Sequence, residues 1–148
     1  YKASLRQLAG DDPRIIFTGY VFGNGYLELG SNAYLFIESS GVGGTHPALV
    51  EAMAFGNCVV VNNTPENLET IGTGEAGLFY DGKAGAESLR EVLVKLFLDP
   101  QQVAEFRRKG KQYAQSHYSW DAITDEYERL FYRTLRKLLP DRLAQSSK

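Results

Sequence analysis

Apolar positions along this chain follow two rhythms, short runs in the first half and helical spacing in the second. Arg14-Ile15-Ile16-Phe17-Thr18-Gly19-Tyr20 is a β-branched and aromatic run ended by glycine, which predicts a strand. Residues 25–32 fit a short helix, and Ala33 to Glu38 a second strand. A small-residue loop, Ser39 to Gly44, leads to a helix over Pro47–Phe55, opened by proline in its first turn and closed by Gly56. Cys58-Val59-Val60-Val61-Asn62 is the continuous apolar run of a strand covered on both faces. Thr64 caps a further helix beginning at Pro65, and Gly77 to Tyr80 is a fourth short strand. From Glu87 the pattern is helical. Leu89, Val92, Leu93, Leu96 and Phe97 repeat every three to four residues until Asp99-Pro100, a helix covers 101–116, and Ser119 caps another over Trp120–Leu138.

Strands alternating with helices predict an α/β domain with a Rossmann-like parallel sheet, flanked by helices, that binds ligands at the carboxyl ends of its strands. The Ser39–Pro47 loop runs from such a strand end to a helix start, so the binding crevice is expected there. We expect the domain to span 1–139 and residues 140–148 to form a flexible tail. Four strands is few for such a sheet. Because the chain opens with Tyr1 rather than Met, further strands are expected upstream.

At 148 residues, 43% apolar and 23% charged, the composition is that of one globular domain. No apolar run approaches the ~20 residues that cross a bilayer. One cysteine excludes an internal disulfide and points to a reducing cytoplasm, and with two histidines it argues against a structural zinc site. Net charge is −2, unevenly spread: residues 1–103 hold 6 Lys and Arg against 12 Asp and Glu, residues 104–148 hold 10 against 6. The basic end suits either a solvated helix face or peripheral contact with an anionic membrane surface. Nothing in it calls for nucleic acid.

Candidate chemistry lies in Gly41-Val42-Gly43-Gly44-Thr45-His46-Pro47-Ala48-Leu49-Val50-Glu51-Ala52-Met53-Ala54-Phe55-Gly56. A glycine-rich turn leaves N–H groups unobstructed, and the following helix aims its free N–H groups and positive dipole end at the same point. Phosphate or diphosphate suits that arrangement. The same glycines also serve a tight turn without any ligand. Thr45 offers a hydroxyl donor or a helix cap, and the Glu51 carboxylate could accept from a pair of vicinal sugar hydroxyls. Tyr20, Phe22 and Tyr26 are candidates for stacking on a base or for packing, and Trp120 for packing its helix.

Glu51-Ala52-Met53-Ala54-Phe55-Gly56-Asn57-Cys58-Val59-Val60-Val61 resembles the second half of a signature found in the C-terminal domain of family-four retaining glycosyltransferases of the GT-B fold. Phe17-Thr18-Gly19-Tyr20-Val21, Thr64-Pro65-Glu66-Asn67-Leu68-Glu69 and Tyr118-Ser119-Trp120 resemble other stations of that domain in the same order, so the likeness runs from about residue 4 to 135. Gly43-Gly44-Thr45-His46-Pro47 through Met53 is similar to bacterial rhamnosyltransferase-type members that build cell-surface polysaccharide.

The resemblance implies a nucleotide-diphosphate sugar as donor, no separate cofactor, and no metal. It implies that the backbone of Gly43, Gly44, Thr45 and His46 holds the diphosphate and sugar, that Glu51 binds the ribose hydroxyls, and that Gly19, Tyr20 and Val21 face the base. Transfer would go to a glycan or lipid-linked acceptor held by an N-terminal domain outside this chain. The fragment alone would then be inactive, in the cytoplasm or at the inner membrane face. The family's first two strands of this domain would also precede Tyr1, leaving sheet edges open to self-association. Gly43 stands where the family carries its first glutamate, and Glu38 is the nearest substitute carboxylate. A module that binds a nucleotide sugar, or stabilises a partner, without catalysing transfer is the alternative.

Overall fold

A computed structural model describes residues 1–138 of the protein. Its elements in chain order are α1 (Lys2–Ala9), α2 (Asn24–Asn32), β1 (Leu35–Glu38), α3 (Pro47–Phe55), β2 (Cys58–Asn62), α4 (Pro65–Thr70), β3 (Leu78–Tyr80), α5 (Ala86–Leu98), α6 (Pro100–His117) and α7 (Trp120–Leu138). The three strands form one parallel sheet in the order β1-β2-β3. Leu35 pairs with Cys58 and Glu38 with Val61, while Val60 pairs with Leu78 and Asn62 with Tyr80. Each strand therefore delivers its carboxyl end to the same side of the sheet as Glu38, Asn62 and Tyr80.

The central strand explains the two-sided core. Successive residues of β2 point to opposite faces. Val59 and Val61 join Leu49, Ala52 and Met53 of α3, with Ile71, Ala76 and Ala114. Cys58 and Val60 join Tyr80, Leu96 of α5 and Val103 of α6 on the other face. Fully burying a valine contributes roughly 1.5–3 kcal/mol, which is why this run tolerates no polar member before Asn62. α3 reaches the sheet through Leu49, Ala52 and Met53, spaced three and four apart. Gly56 stops it at φ 83°, ψ 35°, where its own N–H and that of Asn57 bond back to the last turn.

Two expectations change. The run 14–20 is not a strand, and among the described residues the sheet has three strands rather than four. A strand exists only with a neighbour to take its hydrogen bonds, and among the described residues none lies beside this run. Instead Asp12 turns the chain by accepting from the Arg14 N–H at 3.0 Å, and the N-terminal helix α1, which the pattern did not predict, lies alongside with Lys2 over the Tyr20 ring and Arg6 over that of Phe17. Trp120 does not pack its helix; it is 83% exposed, and Tyr127, Leu130, Phe131 and Leu135 further along α7 are also bare. No described helix is long and apolar enough to cross a membrane. The predicted tail 140–148, and residue 139 of the predicted domain, lie outside the described residues.

Candidate functional site

The loop from Ser39 to His46 leaves the carboxyl end of β1 and enters α3. Its first turn is local: Glu38 Oε1 accepts from the Ser40 N–H at 2.9 Å. Glu38, the substitute carboxylate named above, is thus engaged by its own loop, half-buried and close enough to Tyr80 to help burial push that phenol's pKa up. The Ser40 carbonyl is then held from two sides, by Asn62 Nδ2 at 3.2 Å and Asn67 Nδ2 at 3.4 Å. Asn67 is buried, and its Nδ2 also donates to the Asn62 carbonyl at 3.1 Å. Thr64 caps α4 as expected, accepting from the Asn67 N–H. One side chain at the start of α4 therefore ties together the ends of β1 and β2.

Beyond Ser40 the loop is free of such ties. Among the described residues, no protein acceptor takes the N–H groups of Gly43, Gly44, Thr45, His46 or Ala48. Gly43 has φ 142°, and a Cβ there would lie 2.9 Å from His46 Cε1, so glycine is what lets the imidazole fold back over the loop. Gly44 has open space where a Cβ would stand. The N-cap of α3 is His46, with no side-chain cap, so the capping role considered for Thr45 is not realised. With Pro47 at the first helical position, no side chain competes for the helix's free N–H groups.

Glu51 lies one turn into α3, exposed to solvent, and Oε2 of its carboxylate accepts from the Tyr26 hydroxyl of α2. That bond, with some burial, raises the Tyr26 pKa above the usual phenol value. Tyr26 had been a candidate for base stacking or packing; its polar end turns out to be committed to Glu51. A cleft of about 420 Å³ opens beside this pair. Gly19, Tyr20 and Val21, Tyr26 and Leu29 of α2, and Ala48, Ala52 and Phe55 of α3 are among the residues that line it. Of the sequence-predicted residues, Gly19, Tyr20 and Val21 line the cleft, whereas Gly43–His46 and Glu51 do not; Glu51 is linked to it through Tyr26, and the 43–46 backbone leads into α3, whose Ala48 is part of the lining. Tyr20 is 86% exposed, its ring stacked on Phe22 at 6.1 Å. Tyr26 was missed as a partner of Glu51, because the two lie 25 positions apart on different helices. Among the described residues, no three His, Cys, Asp or Glu side chains gather as metal ligands.

Unpaired N–H groups at a helix start on the carboxyl side of a parallel sheet, with an acid one turn on, are the geometry of a site for a phosphorylated ligand. Comparison with known proteins meets this from another direction. Curated proteins provide no match. Among solved structures, a sucrose-phosphate synthase from Thermosynechococcus elongatus superposes with a TM-score of 0.79 at 21% identity, over 92% of this chain and 34% of that one. That likeness establishes the fold, a fragment of the GT-B architecture, and the chain spans about a third of that protein's length. Residues 4–117 match the family described as glycosyl transferases group 1, and with most of its length inside that match, the chain belongs to this family.

Proposed function

We propose that this chain is the donor-binding part of a retaining glycosyltransferase, and that it grips a nucleotide-diphosphate sugar at the mouth of α3. The backbone N–H groups of Gly43, Gly44, Thr45 and His46 take the diphosphate and the sugar, Glu51 takes the ribose hydroxyls, and Gly19, Tyr20 and Val21 flank the base. The row of N–H groups at 43–46 without protein acceptors carries this reading, because N–H groups and a helix dipole stabilise the charge that grows on a departing diphosphate. No separate cofactor or metal is required by that chemistry.

Transfer of a hexose or deoxyhexose, in the manner of rhamnosyltransferase-type enzymes of polysaccharide assembly, is the finer form of the proposal. It includes a separate acceptor-binding domain, without which this chain is inactive, and a place in the cytoplasm or at the inner face of the membrane. Among the described residues the outer edges of β1 and β3 have no partner strand, which gives self-association a route. One observation favours the reading in which the module binds but does not transfer: Gly43 occupies the place of the family's first glutamate, and Glu38 is tied to Ser40.

Titrating the chain with UDP, GDP and dTDP by calorimetry, then assaying donor hydrolysis in a form extended upstream, separates the readings. Binding with hydrolysis is expected of the transferase, and binding without it of the non-transferring module. Failure of all three nucleotides to bind removes both.

A further inference from the structure

Glu51 carries the ribose contact in the reading above, yet a glutamate on an exposed helix surface has three freely turning bonds. Fixing such a side chain when a ligand arrives costs rotamer entropy. Tyr26 changes that. Its hydroxyl donates to Oε2 of Glu51, and Tyr26 also lines the cleft together with Gly19, Tyr20 and Val21. The first turn of α2 is itself secured, with the Tyr26 and Leu27 N–H groups bonded to the Gly23 carbonyl at 3.1 and 3.2 Å. Tyrosine has only two side-chain torsions, so it anchors the carboxylate at small entropic cost.

We propose that Tyr26 is a positioning residue of the donor site, holding the Glu51 carboxylate before the nucleotide arrives so that its remaining acceptor positions face the ribose hydroxyls. This rests on the ribose role of Glu51 given above. An ionised carboxylate has two oxygens and about four acceptor positions. One phenol occupies one of them, leaving room for a vicinal pair of hydroxyls. The hydrogen bond to a charged acceptor is of the stronger class, and a phenol is protonated, hence a donor, across neutral pH with or without the carboxylate beside it. Preorganisation of this kind improves affinity by removing an ordering cost from the binding step.

Calorimetric titration of the 148-residue chain with UDP and GDP, and with their 2′,3′-dideoxy forms, tests this in wild type, Tyr26→Phe, Glu51→Ala and the double variant. Tyr26→Phe keeps the ring and removes only the hydroxyl, and the thermal midpoint reports whether the fold is intact. Expected is a roughly 3- to 10-fold weaker affinity of Tyr26→Phe for the ribonucleotide. No change is expected for the dideoxy form, and none when Tyr26→Phe is added to Glu51→Ala. A loss shared equally by ribo and dideoxy nucleotides, or one persisting without Glu51, would mean general packing and would overturn the proposal. So would an unchanged Tyr26→Phe affinity. If Glu51→Ala binds as wild type does, or no nucleotide binds, the ribose reading itself has failed and this inference falls with it.

Discussion

The side chain of Asn62 fills the space beside Gly82 in which any other residue would place its Cβ; the Asn62 Oδ1 would lie 2.0 Å from that atom. The contact joins the end of β2 to the turn after β3. It reaches further, because Asn62 Nδ2 donates to the Ser40 carbonyl and so fixes the start of the glycine loop. Gly82→Ala is therefore expected to push Asn62 off Ser40 and cost about 1–3 kcal/mol, the range for overfilling a packed site. Urea denaturation measures the loss. An alanine variant as stable as wild type would show that the Asn62 side chain has room to move and does not hold the loop.

Two neighbouring glycines are expected to behave differently. A valine at Gly44 meets open space, so Gly44→Val should keep its unfolding free energy within about 0.5 kcal/mol while blocking the close approach of a phosphate. At Gly43 the backbone sits at φ 142° and a Cβ meets the His46 ring, so Gly43→Val should lose stability as well. Parallel denaturation and nucleotide titration decide. Normal binding by Gly44→Val would remove the loop as the phosphate cradle.

Much of this arrangement could be read before the structure, for identifiable reasons. Pro47, Gly56, Thr64 and Ser119 punctuate helices through local backbone chemistry, and each does so where expected, Ser119 by accepting from the Ala122 N–H at 3.1 Å. The Cys58–Val61 run is apolar on both faces, and that pattern alone requires a covered central strand. Arg14–Tyr20 misled because a β-branched run reports only a propensity, whereas a strand also needs a partner, which the described residues lack. α1 escaped notice because eight residues, with Leu5 and Leu8 as their larger apolar members, are too short a window to read, and the helix buries none of them. The Tyr26–Glu51 and Asn67–Ser40 bonds join residues 25 and 27 positions apart, and no local pattern encodes such pairings.

Removing the Glu51 carboxylate isolates its role. Glu51→Ala is expected to weaken ribonucleoside diphosphate binding by about 1–3 kcal/mol, the range for a lost hydrogen bond to a charged group. At 1.4 kcal/mol per tenfold that is roughly 5- to 150-fold in Kd. The sugar of dTDP lacks the 2′-hydroxyl, so the loss for dTDP should be smaller than for UDP. Equal losses for the two nucleotides would place the carboxylate away from the ribose, and the comparison needs only four titrations.

Cys58 sits on the inner strand, fully buried, and burial pushes its thiol from an ordinary 9.0 up to about 11, with Arg107 offsetting part of the shift. A thiolate is the reactive form, so native protein at pH 8 should resist iodoacetamide and react promptly once unfolded in urea. The same shift sets a pH dependence. Below pH 9 the thiol is protonated in both states and the folded state carries no penalty. Between 9 and about 11 the unfolded chain releases a proton that the folded chain retains, so the unfolded state binds fewer protons and stability falls as pH rises. Tyr26, Tyr80 and Tyr118, whose phenols are raised from an ordinary 10.0, act with the same sign from about pH 10 upward. Urea midpoints should therefore decline from pH 9 upward, and Cys58→Ala should flatten the first part of that decline at some cost in packing. Rapid alkylation of the native chain at pH 8 would contradict the burial of β2 on which the two-sided core depends.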